Sequence, residues 1–356
     1  MNMEPSGQFR LSVVTDVHSL KYLYNVSISI LFMTFMIHWG KYSRKNTLET
    51  TKVQNSAYIC HIETIQTTTM QKHQPSYINL KGQLMDLSQP RVMGILNLTP
   101  DSFYASSRKQ TEADIIGRCR QMLEEGADIL DIGACSTRPG SCPTSIEEET
   151  ERLRYGLQII NKHFPEAILS IDTFRSDVAR MCVEEYGAAI VNDISACELD
   201  RQMLAYLARA GVPYVLTHMQ GTPTDMQQAP HYDHLLKEVF YYFSQKVQQL
   251  RDLGAKDIVL DPGFGFGKTV EHNYCLMNHL EEFSIFQLPI LVGVSRKSMI
   301  YKPLGCQPEE ALNGTTVLHT AALLKGAAIL RVHDVKAARE AIQIVTLMKA
   351  QSAFQP

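Results

Sequence analysis

Ten polar residues stand at the ends of short apolar runs along the chain: Asn97, Asp131, Asp172, Asn192, Asp193, His218, Asp261, Lys297, Arg331 and His333. Asp and Asn favour turns, so any one of them could simply start a loop. Such a residue at every successive end is hard to explain that way. Asp172, Asn192 and Asp261 are acceptors or amides, suited to a heterocycle with N–H and carbonyl edges. Lys297, Arg331, His333 and Arg138 are cations or potential cations, suited to phosphate or carboxylate. Asn97 could give an oxygen ligand to Mg2+, which binds through few protein groups plus substrate phosphates. The division suggests a nitrogen heterocycle held beside a phosphorylated group.

The stretch "IVLDPGFGFGKT" (258–269) looks like a phosphate loop, but its register is wrong. A P-loop needs glycine five residues before the Gly-Lys pair, and Pro262 stands there. A dinucleotide fingerprint needs G-x-G-x-x-G, whereas Gly263, Gly265 and Gly267 read G-x-G-x-G. Either these glycines serve another ligand or they only make a tight turn. Lys268 is not required to touch phosphate, and a plain helix-entry turn remains the alternative for Gly267.

The elements that must position these residues recur from Val92 onward as helix, glycine, apolar run and polar residue. Gly126, Gly187, Gly211, Gly254 and Gly326 mark helix ends, where a left-handed residue is favoured. The runs are apolar on both faces, as strands of a buried parallel sheet are. Eight are expected, at 92–96, 128–132, 168–171, 190–194, 213–217, 258–260, 290–294 and 328–332. Leu236, Val239, Phe240, Phe243, Val247 and Leu250 form a helical stripe between two of them. Thr111 with Asp114, and Ser145 with Glu148, read as helix-starting caps. The count and spacing match a closed (β/α)8 TIM barrel over 76–356, whose active site lies at the C-terminal strand ends. An open doubly wound sheet is the alternative.

Residues 1–75 lack this rhythm and form a non-conforming extension, expected to be poorly ordered. The apolar stretch 26–39 is short of the ~20 residues that span a bilayer. A membrane-associated helix and a small packed cap are lesser readings of the same extension, and Met70 offers an alternative start. A net charge of −3 argues against nucleic acid and anionic membrane partners. The eight cysteines show no C-x-x-C pair or zinc spacing, as expected for reduced thiols in a cytoplasmic protein.

Seven segments in order, "GILNLTPDSF", "DIGACSTRPGS", "SIDTFR", "VNDIS", "LDPGFGFGK", "GVSRKS" and "LRVHDV", resemble the motifs of dihydropteroate synthases. The resemblance covers roughly residues 76–350. It implies a homodimeric barrel of folate biosynthesis that joins p-aminobenzoate to 6-hydroxymethyl-7,8-dihydropterin pyrophosphate. It also implies that Mg2+ assists and that sulfonamides compete with p-aminobenzoate. Asp172, Asn192, Asp261 and Lys297 would hold the pterin. Asn97, Arg138, Arg331 and His333 would bind pyrophosphate, with Asn97 on the metal. Phe103, Thr137, Pro139, Phe266, Lys297 and Ser298 would shape the p-aminobenzoate pocket, and Gly263, Gly265 and Gly267 would let the backbone pass close to that aromatic substrate, with Phe266 as one wall. Asp101, Arg138, Lys297, Arg331 and His333 would carry the reaction, the first two from loops that close over it. Asp131 would steady the second loop and help with the metal.

One departure is visible. The family commonly has Gly-Glu before Ser-Thr-Arg-Pro-Gly, and Ala134-Cys135 stand here. A corrinoid-linked pterin methyltransferase would share the pterin residues but would not need the Ser-Thr-Arg-Pro and Ser-Arg-Lys segments. A barrel that only binds pterin would be expected to have lost loop and phosphate residues.

Overall fold

The computed structural model describes residues 77–99, 111–135 and 144–351. The extension 1–75, with its apolar stretch, lies outside the described residues. Among those described, no helix is long and apolar enough to cross a membrane.

The chain enters through a hairpin, β1 (Tyr77–Leu80) and β2 (Gln83–Asp86). Lys81 and Gly82 both have positive φ (+53° and +95°), the backbone of a two-residue turn that matches strand twist. Eight parallel strands follow: β3 (Arg91–Asn97), β4 (Ile129–Gly133), β5 (Leu169–Asp172), β6 (Ile190–Asp193), β7 (Tyr214–Thr217), β8 (Ile258–Asp261), β9 (Leu291–Val292) and β10 (Ile329–Val332). Their order in the sheet is β8-β7-β6-β5-β4-β3-β10-β9. A parallel bridge between Leu260 and Ile290 brings the two ends together. The sheet is therefore the expected barrel.

Around it lie α1 (Glu112–Glu124), α2 (Ile146–His163), α3 (Ser176–Tyr186), α4 (Gln202–Ala210), α5 (Leu235–Asp252), α6 (Val270–Asn278), α7 (Ser298–Leu304), α8 (Leu312–Leu324) and α9 (Val335–Gln351). Thr111 and Asp114 form a reciprocal capping box on α1, while Ser145 caps α2 through the Glu148 N–H alone. The five helix-ending glycines all take positive φ, the conformation that a Cβ penalises. The α5 stripe faces inward, with Val239, Phe243, Val247 and Leu250 fully in the core.

Strand parity decides what each barrel layer contains. Successive side chains alternate across a strand. One parity, including Leu96, Leu130, Val191, Leu216, Leu260 and Leu330, packs outward under the helices. The other, including Met93, Ile129, Ile190, Val215, Val259 and Ile329, packs inside at the N-terminal end. There it meets Ile78, Leu80, Met85 and Leu87 of the hairpin segment, which plugs the barrel from below. Each such buried side chain contributes roughly 1.5–3 kcal/mol. The plug is absent from the sequence reading, because the repeating unit begins only after it.

Candidate active site

Two residues further along the inward parity, the barrel lining turns polar. Asn97 registers with Gly133, Gly133 with Asp172, and Asp172 with Asn192 across four adjacent strands. Residues in register point the same way, so Asn97, Asp172 and Asn192 share the inner face. Asp131 lies two residues before Gly133 and Arg331 two after Ile329, on the same parity.

These groups form one network. Arg331 donates from Nε to Asp131 Oδ2 at 2.6 Å and from Nη2 to Asp172 Oδ2 at 2.6 Å. Asn192 Nδ2 donates to the same Asp131 oxygen at 3.0 Å. That bond orients the Asn192 amide, leaving its carbonyl oxygen on the other side. Burial opposes the charge on Arg331, but Asp131 and Asp172 outweigh it and hold the guanidinium firmly protonated. Burial raises the Asp172 carboxyl, with Arg331 opposing. Asp131 thus acts on Arg331 and Asn192 within the cup.

The opposite wall comes from β8 and the segment after β9. A Cβ on Gly293 would lie 3.9 Å from Asp261 Oδ2, 3.9 Å from Lys297 Nζ and 3.8 Å from Arg331 Cβ. The missing side chain leaves room where these three groups converge. Lys297 precedes α7, donates from Nζ to the Phe264 carbonyl at 2.5 Å, and sits 4.6 Å above the Phe266 ring. Burial lowers its pKa to about 8, against the pull of Asp261. Burial likewise raises Asp261, while Lys297 opposes. Asp261 Oδ1 also accepts the Gly263 N–H at 2.8 Å. An ammonium therefore stands between a carboxylate and an aromatic face, with Ser298 following at the first residue of α7.

The rim carries His333, whose Nδ1 lies 3.1 Å from Ser295 Oγ and whose carbonyl accepts from Arg118 at 2.6 Å. Asn97 Oδ1 lies near Gly133 and the Asp172 side chain, 3.7 Å from where a Gly133 Cβ would stand. Among the described residues no cluster of three His, Cys, Asp or Glu could cage a metal. An oxygen donor beside a carboxylate suits a hard cation that brings most of its ligands with the substrate.

Several expectations change. Asp193 and His218 stand one residue past the inward positions Asn192 and Thr217, so they face away from the cup. Asp193 instead accepts from the Ser195 and Cys197 N–H groups and from Tyr214 Oη, holding the loop after β6. His218 packs edge-on against Tyr242 and lies 2.9 Å from Lys268 Nζ. Lys268 also donates to the carbonyls of His218, Gly263 and Phe266, and burial lowers its pKa to about 7. It clamps the loop from within.

The glycines of that loop have a different reason from the one expected. A Cβ on Gly263 would stand 1.9 Å from the His218 carbonyl oxygen, and one on Gly267 2.3 Å from that of Gln220. They let the loop after β8 lie against the loop after β7. Only Gly265, beside the Lys297 stem, faces the site. Ser170 and Thr217, which the sequence reading passed over, lie on the inward parity. Their hydroxyls, and Asp131 Oδ1, are buried without a hydrogen-bond partner among the described residues. Asp101, Phe103, Thr137, Arg138 and Pro139 lie outside the described residues.

Residues 93–333 match the family model of pterin-binding enzymes. The chain is 43% identical to the dihydropteroate synthase of Escherichia coli K12 over 267 residues, spanning 74% of this chain and 94% of that one. The enzyme of the same name from Haemophilus influenzae is 36% identical over 265 residues, 74% of this chain and 95% of that one. Among solved structures, Yersinia pestis dihydropteroate synthase in a sulfonamide drug complex superposes with a TM-score of 0.73 at 38% identity, covering 77% and 99% of the two chains. Xanthomonas albilineans dihydropteroate synthase with 4-aminobenzoic acid gives a TM-score of 0.70 at 36% identity, covering 79% and 99%.

Proposed function

The chain belongs to the dihydropteroate synthases, and from that premise we propose how its barrel mouth divides the work. The reaction joins p-aminobenzoate to 6-hydroxymethyl-7,8-dihydropterin pyrophosphate, giving 7,8-dihydropteroate and pyrophosphate. The observation that carries the assignment of roles is the convergence of Asp261, Lys297 and Arg331 around Gly293. The pterin lies in that gap. The Asp261 carboxylate accepts two N–H bonds from the guanidine-like edge of the ring. Asn192, its amide oriented by Asp131, and Asp172 serve the remaining polar edge. Lys297 and Phe266 meet p-aminobenzoate, with Ser298 beside them.

Chemistry follows from charge. The C–O bond to pyrophosphate breaks with both electrons on oxygen, and the dihydropterin delocalises the positive charge left on carbon. The amine lone pair of p-aminobenzoate forms the new C–N bond, and one amine proton is released, which pyrophosphate can take. An aniline is neutral at pH 7 and needs no strong base. The protein's tasks are to stabilise the departing charge and to order the nucleophile. Arg331 and His333 face the first task from β10 and its loop. A Mg2+ ion held through the Asn97 oxygen and the substrate's phosphates would add charge neutralisation. The test is a pyrophosphate-release assay in which each substrate, and then Mg2+, is omitted in turn. Release that ignores p-aminobenzoate would overturn the reading.

Lys297 supplies a pH signature. Its pKa of about 8 means that the ammonium is lost as pH rises through that value. If the charged form is the working one, kcat/KM falls above about pH 8. Lys297→Arg, which stays charged in that range, should abolish this alkaline limb whatever its overall activity. An unchanged limb in the variant would assign it to another group, such as Lys268.

Sulfonamide competition with p-aminobenzoate is part of the same reading, supported by the drug complex of the Yersinia pestis relative. A cytoplasmic setting is supported by the free thiols of Cys119, Cys182, Cys197, Cys275 and Cys306. Homodimerisation is supported by α8, which exposes large apolar side chains besides those it buries. Leu312, Val317 and Leu324 of α8 stay exposed although Leu318, Ala322 and Leu323 fill its core side, and α9 adds exposed Ile344 and Leu347. A helix of that kind normally finds cover. Light scattering should give twice the monomer mass, and Val317→Glu should lower it. A monomeric parent would refute the dimer.

A further inference from the structure

Arg296 stands between Ser295 and Lys297 with a φ of +56°. A non-glycine residue rarely adopts this left-handed conformation, and it persists only where the surroundings over-determine it. The surroundings here are specific. The Arg296 N–H donates to Thr315 Oγ1 at 3.1 Å, and that hydroxyl donates to the Ala311 carbonyl at 2.8 Å. The guanidinium grips Asp334 with two parallel bonds, Nε to Oδ2 at 2.8 Å and Nη2 to Oδ1 at 2.7 Å. Nη1 donates to the Glu309 carbonyl at 2.9 Å. The pairing holds Arg296 charged and Asp334 ionised.

The placement of these bonds matters more than their number. Asp334 directly follows His333, as Lys297 directly follows Arg296. One residue earlier on the same loop, Ser295 Oγ accepts the His333 N–H at 3.2 Å. Two adjacent pairs, Ser295–His333 and Arg296–Asp334, thus lace the loop after β9 to the loop after β10. Glycine would adopt this backbone without strain, but it would leave Asp334 without its partner.

We propose that Arg296 and Asp334 are a positioning pair that fixes the Lys297 ammonium and the His333 imidazole relative to one another. The proposal rests on the roles given to Lys297 and His333 above. It commits to Arg296 acting through those two residues and touching no substrate itself. Lysine cannot replace it, because an ammonium lacks the two-pronged geometry. A misplacement on the order of 1 Å at reacting groups can cost up to about a hundredfold.

Steady-state kinetics on the full chain test this with Arg296→Lys, Asp334→Asn and the double variant. Arg296→Gly, which keeps the left-handed backbone, serves if Arg296→Lys folds poorly. The expected result is a KM for p-aminobenzoate raised about tenfold and a kcat lowered about tenfold. The double variant should be no worse than either single, since the two residues act as a unit. A merely structural role would lower Tm and the folded fraction, and so the apparent kcat, while leaving KM unchanged. That pattern, or KM and kcat within twofold of the parent, overturns the proposal. Arg331→Ala runs alongside. If it is inactive while Arg296→Lys is normal, the positioning pair alone fails; if it too is normal, the underlying reading of the site fails.

Discussion

Replacing Arg331 with alanine lowers kcat/KM by about a hundredfold to a thousandfold, the usual cost of removing one donor aimed at transition-state charge. Of the groups placed here on the departing pyrophosphate, it is the one that two carboxylates hold charged. The same change strands Asp131, whose side chain is fully buried, and Asp172 without their cation. Removing one member of a buried ion pair costs about 3–5 kcal/mol of stability. Thermal melts should therefore fall together with activity. The two effects separate in kinetics well below the melting temperature, where the variant is folded and still slow. Near-parental kcat/KM in folded Arg331→Ala would remove Arg331 from the chemistry.

Asp261→Asn is the second large effect, and it should appear in pterin binding. The change keeps an oxygen for the Gly263 N–H, so the loop after β8 retains its anchor. It removes the negative charge and presents an NH2 group to a substrate edge that also donates. Bonds to a buried charge contribute roughly 1.5–3 kcal/mol each. Two such bonds put the loss at a hundredfold or more in affinity. Calorimetric titration with the pterin should show that loss, with p-aminobenzoate recognition less affected. Equal pterin affinity in the variant would take Asp261 out of the pocket.

The eight strand runs and the helix-ending glycines were legible because each carries a local signal. Glycine ends a helix, and a short apolar run fits a buried parallel strand. The roles of the polar ends were less legible for a related reason. Strands buried on both faces have no alternation to read, so the sequence does not say which side of each strand faces inward. Asn192 and Asp193 look equivalent in "VNDIS", yet parity sends one into the cup and the other behind it. For the same reason His218 reads as a site residue, and Ser170 and Thr217 give no sign that they face inward.

Other features were hidden by distance along the chain. The bond between Arg331 and Asp131 joins residues 200 positions apart. The clash that forces glycine at 263 is with a carbonyl of a different loop. The hairpin at 77–86 did leave a local trace. Ile78 and Leu80 alternate with polar neighbours before Lys81-Gly82, but the two strands are short and precede the repeating pattern.

The most direct test is a crystal structure of the protein with the pterin substrate bound. The ring should fill the space beside Gly293, its guanidine-like edge on Asp261 and its side chain directed toward Arg331 and His333. A pterin bound away from Asp261, or with its tail turned from Arg331, would contradict the account.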